Sequence, residues 1–471
     1  MIGITAHGVY IPLHRLGKGT SGWAGRGEKA VANYDEDSVT MAVAAAIDCM
    51  NGVDARSVGG LYFASTTAPF LEKQSAVTVA RGADLPIEII TADITNSTRA
   101  GTIAMRSALD AVKAGSVKQM MVASADVRIA KPGHPSEATI GDGAAVVIVG
   151  DSKVIAEVED SLAISEEMFD VYQSRTDRYV RFWEDRFGLE GYTSLMGKVT
   201  SEILSKNKLS LAQIDIVVLY ASDLRRHKEM VSRLGLNEAQ IQNPMLDTVG
   251  NTGTASVLMM LSAALESAKP GQRILVVNYG SGADAFLLRV TEEVTKFKPK
   301  HGISAFLESK RLLDSYHKYL RWREILDVEP IASRPPQPVP SAVGIWRGQD
   351  AIMRFYGVKC KNCGYPQFPP QRVCTICRTK DQFEPYKFAD KKASLYSYAA
   401  DYLDVTLDPP AVLSVINFDG GGRAVVFMAD RDINALEVDM PLEMTFRKMY
   451  SAEGINHYFW KCMPIRVAKD S

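Results

Sequence analysis

Gly141-Asp142-Gly143-Ala144-Ala145-Val146 and Gly280-Ser281-Gly282-Ala283-Asp284-Ala285 are two glycine loops, each running straight into an apolar strand. Upstream of each, the same features stand in the same order. Before the first loop come Leu61-Tyr62-Phe63-Ala64-Ser65, Gly101-Thr102, Ala108-Leu109, Gly115 and the apolar run Met120-Met121-Val122-Ala123. Before the second come Leu219-Tyr220-Ala221-Ser222, Gly253-Thr254, Ala264-Leu265, Gly271 and Ile274-Leu275-Val276-Val277. The helix in the second copy is longer by about one turn. Apolar strands alternating with helical stretches, twice over, read as a duplicated α/β unit, with half-repeats at about 1–155 and 156–328.

A chain of 471 residues, 46% of them hydrophobic, exceeds one ordinary core and is expected to form at least two domains. Its 54 Lys and Arg balance 55 Asp and Glu. That removes the broad field that draws nucleic acid or anionic lipid, so an anionic ligand has to be met by local charge. The start, MIGITAHGVYIPLHRL, alternates as a strand does and lacks the basic head and apolar run of an export signal. With no run of about 18 apolar residues, no membrane span is expected and a cytoplasmic protein is. Six cysteines are too few for a disulfide scaffold here. Cys49 and Cys462 read as small core residues.

The other four cysteines form Cys360-Lys361-Asn362-Cys363 and Cys374-Thr375-Ile376-Cys377, two CxxC knuckles flanking Gly364-Tyr365-Pro366-Gln367-Phe368-Pro369-Pro370. Each knuckle can place two thiolates on one tetrahedral ion, and four sulfurs leave no open position for water. A structural zinc ion is expected, one that stabilises the fold and does no chemistry. A redox dithiol is the weaker reading, because such a pair normally sits singly beside a βαβ unit. Five short strand-like runs follow, at 394–403, 411–418, 423–429, 440–447 and 457–467, with Gly420-Gly421-Gly422 as a turn. They suggest a small barrel of the OB type. CxxCGxxxFPP, then CxxC, then such strands resembles the zinc-ribbon plus OB-fold family known as DUF35, which accompanies thiolase-type enzymes. The expected layout is a first domain over 1–328, a Pro-rich, semi-rigid linker over 329–343, a zinc ribbon over 344–384 and an OB-fold over 385–471. Without an obvious basic and aromatic stripe, nucleic acid is not an expected partner.

The duplicated unit resembles the thiolase superfamily, and within it the 3-hydroxy-3-methylglutaryl-CoA (HMG-CoA) synthase family. Lys131-Pro132-Gly133 leading to Gly141-Asp142-Gly143-Ala144-Ala145, then Val249-Gly250-Asn251-Thr252-Gly253, then Tyr279-Gly280-Ser281-Gly282 carry that resemblance. It implies alternating helix and sheet layers, a homodimer, and carbon–carbon bond chemistry beside a CoA thioester. It also implies a cysteine nucleophile, a histidine, an asparagine and a glutamate. Here Asn96-Ser97-Thr98-Arg99-Ala100-Gly101-Thr102 puts Thr98 in the nucleophile's place, Tyr220 in the histidine's and Thr66 near the glutamate's; only Asn251 is retained. A hydroxyl does not attack a thioester unless a base adjoins it, so acyl-cysteine chemistry at these positions is excluded.

Two readings follow. In the first, the domain binds acyl-CoA and runs an aldol or retro-aldol step, with Tyr220 as acid/base while Asn251 and the amides around Ser281 hold the thioester oxygen. Arg225, Arg226 and Lys228 would meet the CoA phosphates. In the second, the chain is a catalytically silent scaffold that docks a further enzyme subunit through its zinc module. The plainer roles are a core tyrosine for Tyr220, a helix N-cap for Thr98, a solvated helix face for the three cations and a lone surface histidine for His227.

Overall fold

A computed structural model describes residues 1–326, 328 and 339–466; most of the expected linker, 329–338, lies outside the described residues. The chain divides into two compact units, one of Met1–Ala32 and Asp37–Tyr319, the other of Asn33–Glu36 and Leu320–Arg466. No helix among the described residues is long and apolar enough to cross a membrane.

The first unit is built on nine strands: β1 (Gly3–Tyr10), β2 (Gly60–Ala64), β3 (Ile90–Ile94), β4 (Gln119–Asp126), β5 (Gly143–Gly150), β6 (Ala156–Ser165), β7 (Ile216–Leu219), β8 (Arg273–Tyr279) and β9 (Gly282–Val290). They pair in the order β7-β8-β9-β6-β1-β5-β4-β2-β3. The duplication is visible in the directions. β2 runs parallel to β4, which meets β5 antiparallel, and β5 meets β1 antiparallel. In the second half β7 runs parallel to β8, which meets β9 antiparallel, and β9 meets β6 antiparallel. Even β3, paired parallel to β2, has a counterpart in a single parallel bridge from Val217 to Ile241.

The longer helices that flank the sheet are α1 (Ser38–Cys49), α2 (Ser75–Gly82), α3 (Ala100–Lys113), α4 (Asp185–Lys206), α5 (Leu224–Leu234) and α6 (Ser256–Ser267). α3 and α6 pack on each other, and α6 touches strands of both halves. α1 pairs with α2 on the first half and α4 with α5 on the second. This is a duplicated thiolase-like α/β fold. β1 and β5 are buried along their whole length; for β5 this matches its near-continuous apolar run, whereas β1 buries its polar Thr5 and His7 as well, although its sequence alternates. α1 starts on a capping box in which Asp37 accepts from the Thr40 amide and Thr40 accepts from the Asp37 amide, both at 2.9 Å.

The second unit carries a three-stranded ribbon, with Tyr356–Cys360 between Pro366–Gln367 and Phe383–Lys387. Five further strands follow: β10 (Ala393–Asp401), β11 (Ala411–Phe418), β12 (Arg423–Phe427), β13 (Pro441–Ala452) and β14 (Ile455–Pro464). Their order is β12-β11-β10-β13-β14, antiparallel throughout. Met428, just past β12, bridges to Cys462 on β14 and brings the two edges together, the closure expected of a small barrel. β13 runs five residues past Arg447 because its hairpin partner continues the ladder to Ile455. Phe355 fills the centre, within 4.4 Å of the Phe368 ring and 6.1 Å of Trp460. A buried ionic knot lies nearby: Arg447 meets Asp35, Glu36 and Asp430, and Lys461 meets Asp35 at 2.8 Å. Burial pushes the Asp35 carboxyl up, but Lys461 and Arg447 outweigh it and hold its pKa below the ordinary value.

Candidate active site

In the first unit the C-terminal ends of β2, β4, β7 and β8 converge with the loops that follow them. Asp126, the last residue of β4, ties several of these together. One carboxylate oxygen accepts from the Ser65 hydroxyl at 3.1 Å, the Thr66 amide at 2.7 Å and the Thr67 hydroxyl at 3.0 Å; the other accepts from the Thr254 amide at 2.8 Å. Asp126 therefore places a carboxylate beside Thr66, but one saturated with donors.

Thr98 lies in the turn before α3, and it does not cap that helix. Arg99 is the N-cap residue, and the Arg99 amide donates to Ser97 Oγ at 3.1 Å. The Thr98 hydroxyl instead donates to the carbonyl of Tyr279 at 3.1 Å, and Ser97 Oγ donates to the carbonyl of Gly280 at 3.1 Å. The loop after β8 is thus pressed onto the turn. Gly280 has φ of +157°, and a Cβ there would lie 2.5 Å from Thr98 Oγ1, so no side chain fits. Ser281 follows in the left-handed region at φ +48°.

Tyr220 continues the parallel ladder past β7, its amide donating to the Val277 carbonyl at 3.0 Å. Its side chain is 4% exposed. The Tyr220 hydroxyl accepts from Asn251 Nδ2 at 3.1 Å. Asn251 Oδ1 in turn accepts from the Gly253 amide at 2.9 Å and the Ser256 hydroxyl at 3.2 Å, which fixes which way the amide points. Burial raises the Tyr220 pKa above the usual phenol value, with Arg128 acting in the opposite sense. Tyr220 is therefore a neutral phenol through the neutral range.

A cavity of about 880 Å³ opens onto Thr98, Tyr220, Ser281 and Arg226. A smaller one of about 380 Å³ shares Tyr220 and Arg226 and is lined also by Asn251 and Arg225. The sequence-derived catalytic set is thus brought to one place, with Tyr220 at the junction. The cations are dispersed differently. Arg226 bonds Asp223 at 2.5 Å and Asp185 at 2.7 Å, and Arg225 bonds Asp185 at 2.5 Å. Lys228 is exposed and lines neither cavity. His227 is not a surface histidine: it is buried, and burial lowers its pKa.

Sequence reasoning missed Tyr279, Tyr192, Arg128 and Asp170, all of which line the larger cavity. Tyr279 is 5% exposed, and its hydroxyl makes no close hydrogen bond among the described residues, with Asp170 the polar group that acts on it. Burial, then the Asp170 carboxylate, push its pKa well up. Tyr192 stands edge-on to it at 5.3 Å and donates to the Tyr220 carbonyl at 2.7 Å. One signal was available. Aligning the two glycine loops sets Tyr279 opposite Ile140, so a hydroxyl breaks the repeat where an apolar residue would satisfy packing.

In the second unit the four knuckle cysteines bring their sulfurs within 4.8 Å of one another. Cys360 to Cys377 and Cys363 to Cys374 are each 3.6 Å apart. Tetrahedral coordination at about 2.3 Å from zinc separates sulfurs by about 3.8 Å, so the site fits the ion. The two knuckles share one backbone design: Gly364 donates to the Cys360 carbonyl at 2.9 Å, and Arg378 to the Cys374 carbonyl at 3.1 Å. Cys49 and Cys462 are buried apart from this site, and burial raises both thiols, Cys462 to about 12.

Comparison with known proteins agrees with the fold of the first unit and with the zinc ribbon of the second. A family profile described as 3-oxoacyl-(acyl-carrier-protein) synthase III, C terminal, matches residues 204–290. One described as ChsH2, rubredoxin-like zinc ribbon domain, matches residues 353–384. The hydroxymethylglutaryl-CoA synthase of Methanopyrus kandleri is 29% identical over 343 residues, covering 69% of this chain and 98% of that protein. That of Picrophilus torridus is 28% identical over 345 residues, with 69% and 98% covered. Among solved structures, an HMG-CoA synthase complexed with CoA superposes with a TM-score of 0.61 at 17% identity, covering 68% of this chain and 89% of that one. The β-ketoacyl-(acyl-carrier-protein) synthase III of Thermus thermophilus gives 0.56 at 20% identity, covering 61% and 98%.

Proposed function

We propose that this chain, a thiolase-like domain joined to a ChsH2-type zinc ribbon, binds acyl-CoA and makes or breaks a carbon–carbon bond beside the thioester without an acyl-enzyme. The observation that carries this reading is the buried phenol of Tyr220, held by Asn251 at the junction of two cavities, in a chain with no cysteine between Cys49 and Cys360.

An aldol step suits these groups. The thioester loses an α-proton to Asp170, the carboxylate among several in the cavity wall that acts on both Tyr220 and Tyr279. The resulting enolate carbon bonds to the carbonyl carbon of a second substrate, and the carbonyl π pair moves to oxygen. That oxygen takes the Tyr220 proton. A phenol with a raised pKa is stored in the protonated form this step needs, and the reverse reaction returns the same proton. Asn251 Nδ2 spends one hydrogen on Tyr220; its second, with the amides around Thr98 and Ser281, supports the thioester oxygen as negative charge develops. Thr98, whose hydroxyl is donated to a backbone carbonyl, positions the Gly280 loop and is not a nucleophile.

Lys228 and Arg225, both exposed and Arg225 paired with Asp185 at the surface, are the cations assigned to the CoA phosphates; Arg226, half-buried between two carboxylates, stabilises the start of α5. The zinc ion supports the ribbon, held by Cys360, Cys363, Cys374 and Cys377. A homodimer through the first domain is part of the proposal, and small-angle scattering tests it. The test of function is mass spectrometry of products after incubating the full-length protein with a panel of acyl-CoA esters and aldehydes or ketones. New carbon–carbon products, or cleavage of β-hydroxyacyl-CoA, support the proposal. Binding of no ester favours the alternative of a silent subunit that docks another enzyme, for which the missing thiol is the argument.

A further inference from the structure

We propose that the group to be joined or released at this site is a bulky apolar one, of the size and flatness of an aromatic ring, and not a two- to four-carbon fragment. This rests on the acyl-CoA reading above and specifies its substrate.

The cavity walls carry the argument. Besides the polar groups around Tyr220 and the charged residues of the 167–185 segment, the cavity is lined by Phe70, Leu71, Phe169, Tyr172, Phe182 and Trp183. Three of these rings form an edge-to-face set, Phe169 standing at 6.1 Å and 70° to Tyr172 and at 6.0 Å and 79° to Trp183. Two of the three remain well exposed, Phe169 at 54% and Trp183 at 63%. Large apolar side chains that line a cavity and are left in water mark a contact surface for a ligand. The set is anchored. Val171–Tyr172 pairs with Arg181–Phe182 as a short hairpin. Phe182 stacks on His134 at 5.8 Å, and it packs with Val171 against the buried cluster of Ala130, Ile140 and Val180.

At about 880 Å³ the cavity lies towards the upper end of the range, about 300–1,000 Å³, that encloses a drug-sized ligand. An acetyl or acetoacetyl group reaching Tyr220 would leave the aromatic wall wet. A ring on either the acyl chain or the carbonyl partner would cover it and gain both apolar burial and aromatic contact.

The test compares kcat/KM of the full-length protein for acetyl-CoA and phenylacetyl-CoA, each with acetaldehyde and with benzaldehyde, products being read by mass spectrometry. The expected result is a preference of about tenfold or more for a ring-bearing pair, about 1.4 kcal/mol. Trp183→Ala and Phe169→Ala, both at exposed positions and checked for unchanged circular dichroism, should each cut that preference about tenfold. Equal or better turnover of the acetyl-CoA and acetaldehyde pair overturns the inference and leaves the proposed function standing. If no pair reacts and no ester binds, the proposed function fails and this inference with it. A variant that loses dimerisation but keeps its substrate preference would identify the rings as a subunit contact and also overturn it.

Discussion

Replacing Tyr220 by Phe removes one oxygen from a side chain that is almost wholly buried, and two separable effects follow from what that oxygen touches. The first is structural. Asn251 Nδ2 loses the acceptor it holds at 3.1 Å, and a buried donor left unmade costs about 1–3 kcal/mol. At about 2 °C per kcal/mol for a domain of this size or somewhat smaller, Tm falls by about 2–6 °C. The second is chemical. Loss of a positioned proton donor lowers turnover by about 100-fold or more, about 2.7 kcal/mol at the transition state, while CoA binding, which does not use this hydroxyl, changes little. A pH profile distinguishes the two. The folded chain raises the phenol pKa, so wild-type turnover should hold through neutral pH and fall only above about 10, the ordinary phenol value. The unfolded chain ionises there while the folded one resists, so wild-type stability also declines above that pH, and Tyr220→Phe should lose this contribution. Steady-state kinetics on the ester pair found active, with CoA affinity by calorimetry and Tm by scanning calorimetry, provide the readouts. Turnover like wild type in a folded Tyr220→Phe protein would refute the assignment.

Other outcomes follow from the same structure. Metal analysis should find about one zinc per chain, and chelation or Cys360→Ser should open residues 344–471 to protease while leaving 1–328 resistant; an intact module without zinc would contradict the site. Intact mass after incubation with acetyl-CoA should show no stable adduct on residues 1–328, and Thr98→Ala should lower turnover less than Tyr220→Phe; an acyl group on Thr98 or Ser97 would replace the aldol reading with an oxygen nucleophile. Buried His7, whose pKa is lowered to about 3 by burial, stays neutral in the fold but takes a proton in the unfolded chain below about 6.5. Stability should therefore be lost as pH falls from 6.5 towards 3, by about 2 kcal/mol at pH 5 from this group alone. Denaturant titrations of His7→Gln at pH 7 and pH 5 should show a smaller difference than wild type.

How far the chain could be read without coordinates depended on the range of the interactions involved. The duplication was legible because each half repeats the same order of apolar strand, helix and glycine loop, and strand direction follows from that order. The zinc site was legible because two ligands of each pair are three residues apart, close enough for local backbone to set their geometry. The barrel strands were legible in position but not in length: the extension of β13 depends on cross-strand pairing with β14, which no single strand encodes. The reading of Thr98 as a cap failed for a similar reason. The helix begins one residue later, with Arg99 as its N-cap and Ser97 Oγ accepting the Arg99 amide, while the Thr98 hydroxyl donates to the Tyr279 carbonyl, which Gly280 lets approach.

The cluster around Tyr220 shows the division most clearly. The residue types of Tyr220 and Asn251 and the absence of a thiol are properties of the sequence, and they exclude acyl-cysteine chemistry at these positions. That Asn251 orients the Tyr220 hydroxyl, that Asp126 is saturated by four donors, and that Tyr279 reaches the same cavity under the influence of Asp170 depend on strands from both halves ending together. The histidine beside Arg226 looked like a surface group because its neighbours in sequence are charged, yet the side of α5 it occupies is buried. A sequence specifies which groups are available and how neighbouring ones are spaced. Which of them lose water, and with whom they then share protons, is decided by packing between segments far apart in the chain, because desolvation and hydrogen bonding act over a few ångströms of space whatever the separation in sequence.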